Sequence, residues 1–156
     1  MASGDAHKEL ALDPDASGGA GAPHWPESIA LVAAGGVAGT LCRYWVALAV
    51  HPVRGWPVAT FTVNMVGAFV LGLLLESLAR RGPDVGRLRR LRLVAGVGFC
   101  GAFTTYSALA VEVTGLLRAG HGGTALAYAT ATVLTGFIAT VAGIAAGSRR
   151  RTLANP

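Results

Sequence analysis

Four apolar runs, each about the 20 residues that a helix needs to cross a hydrocarbon core, occupy the chain from residue 29 onward. They span approximately residues 29–50, 58–78, 93–117 and 124–146. The links between them are short, and short links make successive helices antiparallel. The composition agrees: the 156-residue chain is 53% hydrophobic and only 13% charged, where a typical soluble domain carries about 25% charged residues. There is too little polar surface to clothe a water-soluble core. The expected fold class is an all-α membrane protein with four transmembrane helices, and neither a soluble second domain nor an internal repeat is apparent.

The formal charge of +5 is explained by where the charges lie. Asp5, Glu9, Asp13, Asp15 and Glu27 all precede residue 28 in a stretch rich in Gly, Ala, Ser and Pro. That stretch lacks the basic and apolar regions of a signal peptide, and residues 1–28 are expected to be a disordered acidic tail. Residues 29–147 form the membrane domain and 148–156 a basic C-terminal tail. In a four-span chain the N-terminal tail, the second loop and the C-terminus share one side. Leaving out the distant Lys8, that side holds Arg80, Arg81, Arg87, Arg89, Arg90, Arg92, Arg149, Arg150 and Arg151, nine cations against Arg54 and Arg118 on the other. Cytoplasmic loops carry the Lys/Arg excess, so both termini are expected in the cytoplasm. An arginine run flanked by two spans needs no nucleic-acid partner to explain it.

Metal and nucleophile chemistry find no support. Cys42 and Cys100 lie inside spans without C-x-x-C spacing, which reads as small buried thiols rather than a disulfide or zinc framework. His7, His24, His51 and His121 are scattered. Gly96, Gly98 and Gly101 satisfy G-x-G-x-x-G, but a dinucleotide fold needs further parallel strands and a polar exterior. Glycines that let membrane helices approach closely account for these three together with Gly35, Gly36, Gly39, Gly67, Gly72, Gly136 and Gly143.

Polar groups inside the spans are the candidate functional residues. The third span places three glycines and then Thr104, Thr105, Tyr106 and Ser107 near its middle. Such a cluster can host a local helix break, tolerated in lipid only where freed backbone groups find partners. Freed carbonyls suit a small hard cation, and nearby hydroxyl donors suit an anion; alternatively, the hydroxyls bond back to their own helix and leave it intact. Asn64 lies within the second span and needs hydrogen-bond partners there. In the fourth span Thr124, Tyr128, Thr132 and Thr135 make one polar stripe. Arg43 sits roughly 10 Å of helix from the end of the first span, where a cation costs on the order of 3 kcal/mol at full depth; it snorkels, or it lines an aqueous vestibule. Glu112 shares a face with Thr105 and Leu109, and is open to a salt bridge or an interfacial role.

Three segments carry a resemblance. Gly35-Gly36-Val-Ala-Gly39-Thr-Leu-Cys-Arg43-Tyr44, then Thr60-Phe61-Thr-Val-Asn64-Met-Val-Gly67-Ala-Phe69-Val-Leu-Gly72, then Gly98-Phe-Cys-Gly101-Ala-Phe103-Thr104-Thr105-Tyr106-Ser107 with Glu112 resemble the signature segments of the Fluc/CrcB family of small fluoride channels. The likeness covers residues 29–147 in order. It implies a multi-pass protein of the bacterial plasma membrane, built as an antiparallel dimer of four-helix subunits with the third helix broken near its middle. It also implies passive fluoride exit from the cytoplasm and a structural Na⁺ at the dimer centre. By motif match the Gly101 and Thr104 carbonyls are the expected Na⁺ ligands. Asn64, Thr105, Tyr106, Ser107 and Leu109 are expected along the fluoride path, with Arg43 at a vestibule.

Two departures bear on the partner. Where the family usually has two pore-facing phenylalanines three residues apart, this chain has Tyr106 and Leu109, and a leucine presents no electropositive ring edge. The nine-to-two charge bias also opposes insertion of one sequence in both orientations. A heterodimer with a second Fluc/CrcB subunit of opposite orientation is therefore favoured over a homodimer. Two other classes compete. Small proton-coupled cation exporters also pair four-span chains but rely on a carboxylate deep in the first span, where this chain has Arg43. A non-conducting partner subunit would tolerate apolar replacement of Asn64, Thr104 and Thr105.

Overall fold

The computed structural model describes residues 25–53 and 55–149. The expected disordered tail up to residue 24, together with Lys8, Arg54, Arg150 and Arg151, lies outside the described residues. Four helical spans are long and apolar enough to cross a membrane: Trp25–Ala49, Val58–Ala79, Gly86–Arg118 and Gly122–Arg149. The first two are single helices, α1 (Trp25–Ala49) and α2 (Val58–Ala79). The third is assembled from α3 (Gly86–Leu91), a π-helical stretch (Arg92–Cys100), α4 (Gly101–Phe103) and α5 (Tyr106–Arg118). The fourth is α6 (Gly122–Arg149). Among the described residues there is no strand, only one isolated bridge between Val53 and Trp56.

The helices overrun the apolar runs at the ends rich in charge. α1 starts at Trp25, four residues before the apolar run at 29, because Pro26 and Glu27 suit a first helical turn: proline needs no donor there and the acid faces the positive end of the helix dipole. The arginine-rich loop expected over 79–92 shrinks to residues 80–85, since Gly86–Leu91 is helical. Arg and Leu are good helix formers, and hydropathy alone cannot detect a helix made largely of arginine. α6 likewise continues to Arg149.

The turn between the third and fourth spans follows from its sequence. Gly120 takes φ +79°, its N–H donates to the Leu117 carbonyl at 3.0 Å and the His121 N–H donates to Leu116 at 2.9 Å. This is a Schellman cap with glycine at the left-handed position.

Large apolar side chains face outward along the spans, among them Ile29, Val37, Leu126, Val133, Leu134 and Phe137, as lipid-facing helices require. Packing inside uses small residues. A Cβ on Gly35, Gly39 or Gly98 would collide with backbone across the contact between α1 and the third span. One on Gly72 or Gly143 would do the same between α2 and α6. These glycines are the condition for backbone-to-backbone approach in lipid. Gly143 meets Phe69 and Gly147 meets Leu73 and Glu76, so α2 and α6 run in the same direction. Cys100 is buried, whereas Cys42 is exposed; the expected burial of both thiols holds for one, because Cys42 lies on the outward face of α1. Gly96–Gly101, the G-x-G-x-x-G match, is helical throughout.

Candidate functional site

Between α4 and α5 the backbone leaves the helix for two residues. Thr104 has φ −76°, ψ 157° and Thr105 has φ −150°, ψ 122°, both extended. The groups released by this excursion are satisfied from the neighbouring span. Asn64 on α2 accepts from the Thr105 N–H through Oδ1 at 2.8 Å and donates through Nδ2 to the Thr105 carbonyl at 3.1 Å. One side-chain amide thus pairs with both backbone groups of one residue, as a neighbouring strand would. Gly67, one turn along α2, makes room: a Cβ there would fall on the Thr104 methyl.

Both threonines secure the flanking helix ends. The Thr104 hydroxyl donates to the Cys100 carbonyl at 2.9 Å. Thr105 caps α5, its Oγ1 accepting from the Ala108 N–H at 3.2 Å and lying 3.2 Å from the Ser107 hydroxyl. These bonds decide which carbonyls lose their usual donor. In an unbroken helix the Gly101 carbonyl would receive the Thr105 N–H and the Thr104 carbonyl the Ala108 N–H. The first N–H goes to Asn64 and the second to Thr105 Oγ1. Gly101 is exposed, and a Cβ on it would meet nothing within 4 Å. Backbone oxygens relieved of their helical donors are the kind of ligand that a hard monovalent cation takes.

A second polar centre lies deeper toward the opposite end. The Glu112 carboxylate accepts from the Thr60 hydroxyl and from the Tyr128 hydroxyl, each at 2.6 Å. It makes no ion pair among the described residues. Three helices are joined through it: α2 by Thr60, α5 by Glu112 and α6 by Tyr128. Tyr128 is fully buried, with the Trp56 ring edge-on at 5.3 Å. Thr60 and Tyr128 appear in the sequence only within a motif and a stripe. The signal that could have found them is that an intramembrane carboxylate, acceptor-only when ionised, demands hydroxyl donors on the facing helices.

A cavity of about 290 Å³ connects the two centres, and its lining includes Arg43, Tyr44, Thr60, Thr105 and Ala108. Arg43, half-buried on α1, therefore shares a space with the hydroxyl that binds Glu112 and with the residue that Asn64 holds. Ser107 is exposed, and so is Tyr106, at 82%. Leu109 is not among the residues lining this cavity; it is 8% exposed and buried within the subunit. The fourth-span stripe separates as well. Of its members, Thr132 and Thr135 bond back to carbonyls of their own helix, as does Thr140 beyond the stripe, whereas Tyr128 reaches across to Glu112.

The comparisons with known proteins agree with this architecture. The family model described as CrcB-like protein, Camphor Resistance (CrcB), matches residues 30–144. The Leifsonia xyli protein named fluoride-specific ion channel FluC 2 is 51% identical over 121 residues, covering 78% of this chain and 83% of its own length. The FluC proteins of Deinococcus radiodurans and Caulobacter vibrioides are 42% and 41% identical, covering 76% and 73% of this chain and 93% and 90% of their own lengths. With the family model spanning all four helical segments and relatives aligned over most of their length, this four-span membrane chain belongs to the CrcB family.

Proposed function

We propose that the chain is a subunit of a fluoride channel that lets cytoplasmic fluoride leave the cell passively. Its relatives carry the name fluoride-specific ion channel. The observation in the chain itself that carries the proposal is the cavity that Arg43 lines together with Thr60 and Thr105. Fluoride is small and tightly hydrated, and replacing its water takes closely spaced donors. Arg43 supplies an attractive field at the mouth. The Ser107 and Thr105 hydroxyls are donors beside the break, and Asn64 keeps a second Nδ2 hydrogen beyond the one given to Thr105. Fluoride that enters as neutral HF ionises in the cytoplasm and exits down its gradient through such a path without coupling to another ion.

The remaining parts of the proposal concern assembly. Na⁺ is held by the Gly101 and Thr104 carbonyls, the two whose helical donors are diverted, and supplies a fixed charge that ties the helix breaks together. A second subunit in the opposite orientation completes the pathway and donates the matching carbonyls. Tyr106, exposed and without a hydrogen bond among the described residues, faces that subunit. The partner is a different CrcB-type chain, since the nine-to-two arginine bias favours a single orientation for this sequence, with both termini in the cytoplasm.

Liposomes loaded with fluoride and read with a fluoride electrode test the proposal. Efflux is expected when the chain is reconstituted with its partner, and it is expected to stop with Asn64→Leu. Equal efflux of chloride, or fluoride efflux unaffected by Asn64→Leu, would refute it. A C-terminal tag accessible on both faces of the membrane would refute the heterodimer.

A further inference from the structure

The cavity between the two polar centres carries one sign of charge in its lining. Arg43 is the charged side chain there, and the other lining residues are alanine, valine, threonine and tyrosine. Arg43 makes no ion pair among the described residues, although a carboxylate that makes none either is close by. Thr60 lines the cavity and donates its hydroxyl to Glu112 Oε1 at 2.6 Å, so one side chain separates that carboxylate from the space that Arg43 lines. Opposite charges inside a membrane ordinarily pair with one another. Here they stay apart, and the separation needs a cause.

The hydrogen bonds supply it. Each oxygen of Glu112 has its own hydroxyl donor, Thr60 on Oε1 and Tyr128 on Oε2. An ionised carboxylate only accepts, and one whose two oxygens both take short charge-assisted bonds gains little by turning toward a guanidinium. Both donors are themselves held in place. Thr60 is buried, and Tyr128 is fully buried with the Trp56 ring edge-on at 5.3 Å. The consequence is electrostatic. With the Glu112 charge kept behind Thr60, Arg43 sets the potential of the cavity; a carboxylate turned into the same space would oppose it with a field of similar strength, because the two charges are equal in size and would lie at similar distances.

We infer that Thr60 and Tyr128 are positioning residues that hold the Glu112 charge out of the cavity, so that Arg43 sets its field and the cavity selects anions. The inference rests on the reading of this cavity as an anion path, and its test measures the field in the full chain without transport. Ala47→Cys places a thiol in the lining; Cys42→Ala removes the exposed native thiol, and Cys100 is buried. The introduced thiol is reacted with two methanethiosulfonates, the anionic sulfonatoethyl and the cationic trimethylammonioethyl reagent, each rate being divided by that of free 2-mercaptoethanol. In this parent the anionic reagent is expected to be preferred. Thr60→Val is expected to lower the anion-to-cation ratio roughly fivefold, and Tyr128→Phe to lower it as well. Thr60→Ser, which keeps the donor, is expected to retain the parent ratio, and Glu112→Gln added to Thr60→Val to restore it. Lost packing alone would not produce that restoration. A parent ratio that survives Thr60→Val, or a lowered ratio that Glu112→Gln fails to restore, would overturn the inference and leave the anion path standing. A parent without preference for the anionic reagent, or a preference that survives Arg43→Gln, would overturn the anion path and the inference with it.

Discussion

The carboxylates at the two ends of the molecule are handled in opposite ways. At the arginine-rich end Glu27, Glu76 and Asp84 each take one guanidinium, in pairs whose side chains keep 24% or more of their surface in contact with solvent. Toward the other end Glu112 takes no cation and is held by two hydroxyls at 2.6 Å. Exposed ion pairs are screened and contribute about 0–1 kcal/mol. A hydrogen bond to a charged group shielded from water contributes more, about 1.5–3 kcal/mol in soluble proteins, although within bilayers measured values average nearer 0.6 kcal/mol because the unfolded segments also find partners. Numerous charges therefore stabilise one end weakly, while a single charge joins three helices at the other.

The comparison can be broken by substitution. Glu112→Ala strands the Thr60 and Tyr128 hydroxyls together and should have the largest effect, a loss of about 2 kcal/mol in reversible unfolding by a denaturing detergent. Trp56, in edge contact with Tyr128, supplies a local fluorescence readout. Asn64→Leu removes both bonds to the Thr105 backbone and should cost about 1–2 kcal/mol in the same assay; in hydrogen exchange, the Thr105 amide should lose its protection. Arg90→Gln breaks the pair between α1 and α3 and should change stability by no more than about 0.5 kcal/mol, an effect that 0.5 M salt should erase. If Arg90→Gln proved as costly as Glu112→Ala, the distinction between the two ends would be wrong.

Much of this organisation was legible in the sequence, because hydrophobic length is a direct consequence of bilayer thickness. The four spans follow from it, and the side on which most arginines gather follows from counting. The glycine and hydroxyl cluster at 96–107 marked the segment where Thr104 and Thr105 are now seen extended, and Asn64 was recognised as an amide in need of partners. What those partners are could not be read: they are the backbone of Thr105, 41 positions away, and pairing at that separation leaves no local pattern. The bonding of Glu112 to Thr60 and Tyr128 escaped for the same reason. The resemblance alone puts Leu109 on the ion path, and its burial within the subunit, at 8% exposed, is a matter of packing that a motif does not carry. The helical nature of Gly86–Leu91 was hidden by its charge.

The π-helical stretch Arg92–Cys100 bears on how the chain responds to changes of length. A π turn accommodates about one more residue than an α turn, so the stretch holds slack that a regular helix would lack. Deleting one residue from it and letting the rest relax toward α-helix takes up that slack, whereas the same deletion in a regular α-helix would rotate everything downstream by about 100° and draw it back by about 1.5 Å. Thr105 would then stay opposite Asn64 after a deletion in this stretch and swing away from it after one in a regular stretch of the same span. For protein engineering, these nine positions make up the part of the third span that best absorbs a one-residue deletion, with Gly98 fixed by its approach to α1.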